Sequence, residues 1–546
     1  MRIDYTSDLW WKNAVVYCLD VETYSDSDGD GVGDFRGLID KVDYLAGLGV
    51  TCLWLMPFYP SPNRDDGYDI SDYYAVDPRL GTLGDFVELV RTCDDRGMRI
   101  IVDLVVNHTS DEHPWFTESR SSGDSARRHW YVWRPEPADE PATIAFPDKE
   151  TSNWQLDRRT GEYYLHRFYR FQPDLNIAEP AVRDEICKIA AFWLALGASG
   201  FRMDAVPFVL ELEGVGDHGE GDARGWLPTL RRFISRRNGE AMLLGEVNTA
   251  MKELASYFGP DGDALHMEFA FLLNQSLWLS LARGDAEPLE QVISALPTVP
   301  RDNAWATFLR NHDELTLDKL TVSQREEVFK AFAPRSDMRI YGHGVRRRTA
   351  SMLGGDGPQL RMAWSLMFSL PGTPVIFMGD EIGMGEQRRI PDRYAVRVPM
   401  QWTSARNGGF SDAPAASLVR RMPGGAFAAS KGVNVEDQRR DPDSLLRFVR
   451  KLIRTRREAP ELGWGTSTLI ETSDPALFAH RCDWEDSTVI AIHNLGARPA
   501  SAQQPLGAGA TGVHDLLADR EERAGRGGSL TVELDGYGGR WLRVRR

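Results

Sequence analysis

The chain has 546 residues, of which 42% are hydrophobic and 26% charged, the composition of a folded globular protein and not of a disordered one. A net charge of −16 opposes a phosphate backbone, so nucleic acid is excluded as a partner, and no apolar run approaches the ~20 residues that cross a bilayer. The start, MRIDYTSDLWWKN, has no apolar signal core, and the five cysteines (Cys18, Cys52, Cys93, Cys187, Cys482) form no C-x-x-C pair, so a cytoplasmic protein without disulfides is expected.

In chain order, eight short runs rich in Val, Ile, Leu and aromatic residues read as strands: AVVYCLD, VTCLWLM, MRIIVDLVVNH, GFRMDAV, AMLLGEV, LHMEFAF, WATFLRNHD and TPVIFMGD. Between several of them lie amphipathic stretches that predict helices, LIDKVDYLAGLG, TLGDFVELVRTCDDRG and VRDEICKIAAFWLALG, each closed by a glycine. Eight strand–helix units predict an α/β fold built on a closed (β/α)8 barrel, spread over residues 1–107 and 177–459. No G-x-G-x-x-G follows the first strand, which removes the sign of an open dinucleotide-binding sheet.

Residues 108–176 are polar, aromatic and Pro-rich, and read as a small domain inserted after the third strand. Residues 315–360 form a charged insertion ending in VRRRTASMLGG. From residue 460 the pattern turns to short alternating runs, LFAHRCDW, STVIAIHNL, SLTVELDG and RWLRVRR, which predict a C-terminal β-sandwich over 460–546.

In a barrel of this kind the working residues sit at the C-terminal strand ends. Asp103, Asn107 and His108 lie in or after the third run, Arg202 and Asp204 end the fourth, Glu246 the fifth, and His312 with Asp313 the seventh. A single strand-end Asp is commonly a cap or a turn residue; several acids, two His and an Arg at one mouth suit glycosyl transfer. One carboxylate attacks the anomeric carbon and another protonates the leaving oxygen. Arg202, two residues before Asp204, shares its face and can keep it ionised.

DSDGDGVGD at 26–34 carries its own chemistry. Asp26, Asp28, Asp30 and Asp34, with the Val32 carbonyl, offer hard oxygens at alternating positions, as at the front of an EF-hand loop, although its twelfth position is Gly37 and not Glu. A structural Ca2+, with Mg2+ as the other choice, is expected there.

VDLVVNH, GFRMDAV, GEVN and FLRNHDE, in that order on successive strands, resemble the signature regions of the α-amylase superfamily, glycoside hydrolase family thirteen; QPDLN at 172–176 and GTPVIFMGDEIGM at 372–384 resemble two more. The resemblance implies Asp204 as nucleophile, Glu246 as acid/base and Asp313 as the third carboxylate, with Arg202, His108 and His312 in the same sugar subsite. DDGYDI at 65–70 and RVPMQW at 397–402 resemble the exo-acting members, which implies that Asp65 and Tyr68 form a glucose pocket and that Arg397 pairs with Asp65 to close it. The family also places an ion in the 26–34 loop, and implies a second site at Asn107, Asp174 and Glu211 with carbonyls near Phe208 and Val209.

Within the family, HPWF, YVW, HRFYRFQPDLN and the VRRRTASML insertion resemble the trehalose synthases, which turn maltose into trehalose. The chain departs from them at Val-Asn-Thr after Glu246 and in ELEGVGDHGEGDA after the nucleophile. Three outcomes therefore stay open: isomerisation of maltose, an exo-acting α-glucosidase or glucosyl transferase to another small acceptor, and an inactive carbohydrate-binding protein. The partner expected is a small sugar, with no membrane; the sequence leaves a homo-oligomer open.

Overall fold

The eight strand-like runs form strands, and all eight join one closed parallel barrel. In a computed structural model that describes residues 9–137, 144–210, 225–355, 357–525 and 527–546, they are β1 (Val16–Leu19), β2 (Cys52–Leu55), β3 (Arg99–Leu104), β4 (Gly200–Met203), β5 (Met242–Gly245), β6 (Met267–Phe269), β7 (Ala304–Phe308) and β8 (Thr373–Phe377). Each pairs with its sequence neighbours, and β8 closes on β1 with Val375 opposite Val16. Nearly every strand residue is buried, because one face of the pleat fills the barrel and the other packs under helices.

The expected helices are present. Leu83–Asp94 starts at a capping box in which Thr82 and Asp85 satisfy each other's backbone N–H groups. Pro180–Ala195 begins with its proline, which has no N–H to lose. Gly49 and Gly197 follow the ends of their helices.

After β3, residues 108–176 hold a helix, Pro114–Ser119, and a three-stranded antiparallel sheet with Glu162–Leu165 between Trp133–Arg134 and Trp154–Asp157. Bridges His108–Asp174 and Tyr131–Leu175 pin this segment beside the barrel mouth. After β7, Leu315–Thr316, Gly344–Val345 and Arg339–Ile340 form a second small sheet next to the helix Val322–Phe332.

The C-terminal part is antiparallel: six strands in one sheet and a two-stranded ribbon, Ala500–Pro505 with Ser529–Leu534. Alternation explains its two faces. Leu477, Ala479, Ile490, Ile492 and Leu542 pack with Ala502, Leu530 and Val532 of the ribbon, whereas Phe478, Val489, Ala491 and Trp541 join the barrel's own core. Among the described residues no helix is long and apolar enough to cross a membrane, and all five cysteines are free.

Candidate active site

The strand ends deliver their polar side chains to one point, and Arg202 organises them. Asp103 on β3 pairs in register with Arg202 on β4. Arg202 Nη1 donates to Asp103 Oδ1 and to Asp204 Oδ1, each at 2.6 Å, and Nη2 donates to Glu246 Oε2 at 2.7 Å. The guanidinium is buried, always charged and planar, so it fixes the three carboxylates around it. Trp54 Nε1 holds the other Asp103 oxygen at 2.9 Å.

Ala205, directly after Asp204, adopts a left-handed φ of +48°, and its N–H reaches Glu246 Oε2 at 3.0 Å. A strained residue between the two acids is thus used to aim one of them.

One cation cannot fully offset three carboxylates away from water. Burial pushes Asp204 up to about 6, with Arg202 opposing it and Asp103 and Asp313 adding to it. Burial likewise pushes Glu246 up to about 7 against Arg202. Asp313 goes the other way: burial works against its charge, but the guanidiniums of Arg393 and Arg397 hold it well below the ordinary carboxylate range. The environment thus separates one acid that stays ionised from another that keeps its proton near neutrality.

Tyr68 and His312 form a wall, their rings 5.6 Å apart and 5° from parallel, with the Tyr68 hydroxyl 2.7 Å from His312 Nε2. His312 Nε2 also lies 3.1 Å from Asp313 Oδ2, and burial keeps the ring neutral. His108 Nε2 binds the Tyr68 carbonyl at 3.1 Å, and burial lowers its pKa to about 4.

The pairing of Arg397 with Asp65 is corrected. Arg397 instead bridges Asp66 and Asp313, both at 2.8 Å, and Arg393 bridges Asp65 at 2.9 Å and Asp313 at 2.6 Å. Gln172 Nε2 holds the second Asp65 oxygen at 3.0 Å, and Arg420 ties Asp66 to Glu22. The sequence reading passed over Asp66, Arg393, Gln172 and Arg420. The signal for Asp66 was its position inside DDGYDI; Arg393 and Arg420 sit in loops, where spacing gives no direction to a side chain.

A cavity of about 590 Å3 opens over this cluster. Asp65, Tyr68, His108, Asp204, Glu246, Asp313 and Arg393 line its inner part. Arg202, His312 and Arg397 stand behind those groups as support. The rest of the lining includes Asn153, Trp154, Phe168 and Phe208 together with Asn248, Thr249, Asp318 and Lys319.

In the 26–34 loop, carboxylate oxygens of Asp26, Asp28 and Asp34 come within 4.8 Å of one another. Asp30 does not join them; its Oδ1 turns back to accept from the Val32 N–H at 2.7 Å. Asp26 takes the N–H groups of Gly29 and Gly31 at 2.7 and 2.8 Å, and Asp34 caps the next helix through Gly37. Gly31 has φ +101°, and a Cβ there would run into the Ser417 carbonyl; a Cβ at Gly37 would meet the Ser25 carbonyl, which forbids the EF-hand glutamate at that position. Three gathered carboxylates repel unless a cation sits among them, so the donor set fits a hard divalent ion.

The second expected ion site does not fit. Asn107 Nδ2 does meet Asp174 Oδ1 at 3.3 Å, but Arg167 Nε lies 3.4 Å from Asp174 Oδ2 and its backbone N–H takes Oδ1. A guanidinium already supplies the positive charge there. Glu211 lies outside the described residues.

Comparison with known proteins agrees with this geometry. The family model for the α-amylase catalytic domain matches residues 21–333 and 336–465. The chain belongs to the α-amylase family. A sucrose hydrolase-like C-terminal domain model matches residues 487–543 of this α-amylase-family chain. The trehalose synthase of Thermus thermophilus is 42% identical over 501 residues, 91% of this chain and 52% of that one, so the chain spans about half the length of that relative. The trehalose synthase/amylase TreS of Mycobacterium tuberculosis is 41% identical over 506 residues, 91% of this chain and 84% of that one. Among solved structures, an inactive double mutant of MutB with isomaltulose superposes with a TM-score of 0.79 at 27% identity, covering 98% of this chain and 99% of that one.

Proposed function

We propose that this enzyme isomerises maltose to trehalose by retaining α-glucosyl transfer. The observation that carries the reading is the Arg202-bridged pair of Asp204 and Glu246 at the floor of a cavity closed behind by the Asp65–Arg393–Asp313–Arg397–Asp66 chain of ion pairs. A closed back admits one glucose unit and blocks the interior of a polymer. The relatives named trehalose synthase, and a structural neighbour holding isomaltulose, support a disaccharide as substrate.

The step follows from the charges. Ionised Asp204 attacks the anomeric carbon, the bond to the glycosidic oxygen breaks, and protonated Glu246 gives its proton to that oxygen. Asp313, held ionised by Arg393 and Arg397, binds the hydroxyls of the distorted ring. The released glucose turns in place, its anomeric hydroxyl attacks the glucosyl–Asp204 ester, and the proton returns to Glu246. Two inversions leave the α configuration, and exclusion of water protects the ester.

A divalent ion, Ca2+ before Mg2+, is proposed at Asp26, Asp28 and Asp34, where it would supply structural charge and no chemistry. The free, mostly buried thiols support a cytoplasmic location. The test of function is incubation with maltose in the presence of labelled glucose. Unlabelled trehalose is expected; glucose alone would overturn the reading in favour of hydrolysis, and labelled transfer products would show an open acceptor site.

A further inference from the structure

The acceptor side of the cavity is anchored to the catalytic acid by one short chain of contacts. Asn248, two residues after Glu246, donates to both oxygens of Asp318 at 3.2 and 3.3 Å. Asp318 also accepts from Gln275 Nε2 at 3.0 Å and from Thr316 Oγ1 at 3.1 Å. Gln275, buried on the helix after β6, takes the Lys319 N–H on its own oxygen at 3.0 Å. Residues 318–319 are therefore held from the side chain, the backbone and the barrel at once.

Lys319 is the residue so held, and with Asp318 it is part of the cavity lining. Its ammonium touches Asp318 Oδ2 at 3.0 Å, with its side chain 31% exposed. An ammonium has three N–H donors. Asp318 takes one, and the geometry leaves the others for a ligand on the acceptor side. Asp318 already accepts from four groups, so it positions the ammonium more than it offers itself to a sugar.

We propose that Lys319 holds the departing glucose, by donating to its hydroxyl oxygens, so that this sugar and not water receives the glucosyl group. The proposal rests on the isomerase reading above and names the group that would set the division between isomerisation and hydrolysis. Lys319 acts on the leaving sugar and is a specificity-determining residue; Asp204 and Glu246 do the bond making and breaking.

The experiment measures, on maltose with labelled external glucose, the ratio of trehalose to free glucose for the parent, Lys319→Met and Lys319→Arg. The ratio is independent of how much enzyme is folded. Lys319→Met should lower it about tenfold, the loss of one charged hydrogen bond, and should raise the labelled fraction of trehalose because the retained glucose escapes. Lys319→Arg should recover part of the ratio. A purely structural role for the Lys319–Asp318 pair would lower melting temperature and both products together. A ratio within twofold of the parent in Lys319→Met overturns the proposal. A parent that yields glucose alone overturns the isomerase reading and this proposal with it, whereas an isomerising parent with an unchanged Lys319→Met overturns this proposal alone.

Discussion

The two halves of the cavity are built on different physics. On the donor side Asp65, Asp66, Asp103, Asp204, Glu246 and Asp313 share Arg202, Arg393, Arg397 and Arg420, and each of these arginines touches at least two carboxylates. On the acceptor side the polar groups are partly exposed, and several of them meet through the single carboxylate of Asp318. Buried charges must be paired wherever they are placed, so the donor side is over-determined. The acceptor side is free to vary, and it is where enzymes with one catalytic pair can differ in product.

The sharpest way to break that comparison is to remove a catalytic charge. Asp204→Ala should cost about 10^4-fold or more in turnover on every substrate, since no ester can form. Glu246→Gln should fall about 10^2- to 10^4-fold on maltose but much less on α-glucosyl fluoride, whose leaving group needs no proton. Near-normal turnover of Asp204→Ala would show the nucleophile misassigned.

A smaller loss separates the two arginines that back Asp313. Arg397 is fully buried and serves Asp66, Asp313 and the His312 carbonyl at once, so Arg397→Met leaves Asp66 to Arg420 alone and orphans that carbonyl, and should destabilise by about 3 kcal/mol or more, read from denaturant unfolding. Arg393 sits at the cavity lining, and its partners keep Gln172 and Arg397. Arg393→Met should melt closer to the parent but lose about 10^2-fold in kcat/KM by misplacing Asp65 and Asp313. Equal losses of stability in both variants would contradict this division.

The arginine network also marks where the sequence stopped being legible. Strand ends are readable because a pleat has a fixed period: Arg202 and Asp204 had to share a face, and they do, at 2.6 Å. The eight runs of Val, Ile and aromatic residues likewise define a barrel, since buried parallel strands leave a continuous apolar signature. Arg393 and Arg420 come from the irregular chain after β8, whose path depends on tertiary packing, and nothing local tells which carboxylate they reach. For Arg397 the family likeness pointed to the right wall but to the wrong member of the Asp65–Asp66 pair. Adjacent residues differ only in the direction of their side chains, and the turn at Asp66, with φ +56°, decides that direction.

The pH dependence follows from the same charges. Catalysis needs Asp204 ionised and Glu246 protonated. With burial raising Asp204 to about 6 and Glu246 to about 7, kcat/KM should fall below about 6 as Asp204 gains its proton and above about 7 as Glu246 loses its own. Each limb should lose about tenfold per pH unit. Asp313, held low by Arg393 and Arg397, stays ionised throughout. Because Arg202 links the two acids, both limbs belong to the pair, and a plateau extending two units beyond either limb would contradict the assignment.

The smallest effect is expected from the acidic loop, and the route by which it reaches the site can be traced. Asp26 N–H binds the Phe410 carbonyl at 3.0 Å, and the Val419 N–H binds the Gly31 carbonyl at 2.9 Å. Arg420, the next residue, ties Glu22 to Asp66, and Asp66 holds Arg397. If a cation draws Asp26, Asp28 and Asp34 together, its removal leaves their repulsion to loosen the loop and, through Val419, the far end of the donor wall. A tightly bound ion at about 100 times its Kd contributes about 2.7 kcal/mol, which for a chain of this size is a few degrees in Tm. Exhaustive chelation should therefore lower Tm by that amount, Ca2+ should restore it, and kcat/KM should change less than tenfold, because no catalytic carboxylate is a ligand. Asp28→Asn should weaken the response to Ca2+ while leaving the metal-free Tm unchanged or raised, since it removes one repelling charge. Equal melting of a sample shown to be metal-free, with and without Ca2+, would remove the ion from the account and leave the loop to its backbone hydrogen bonds.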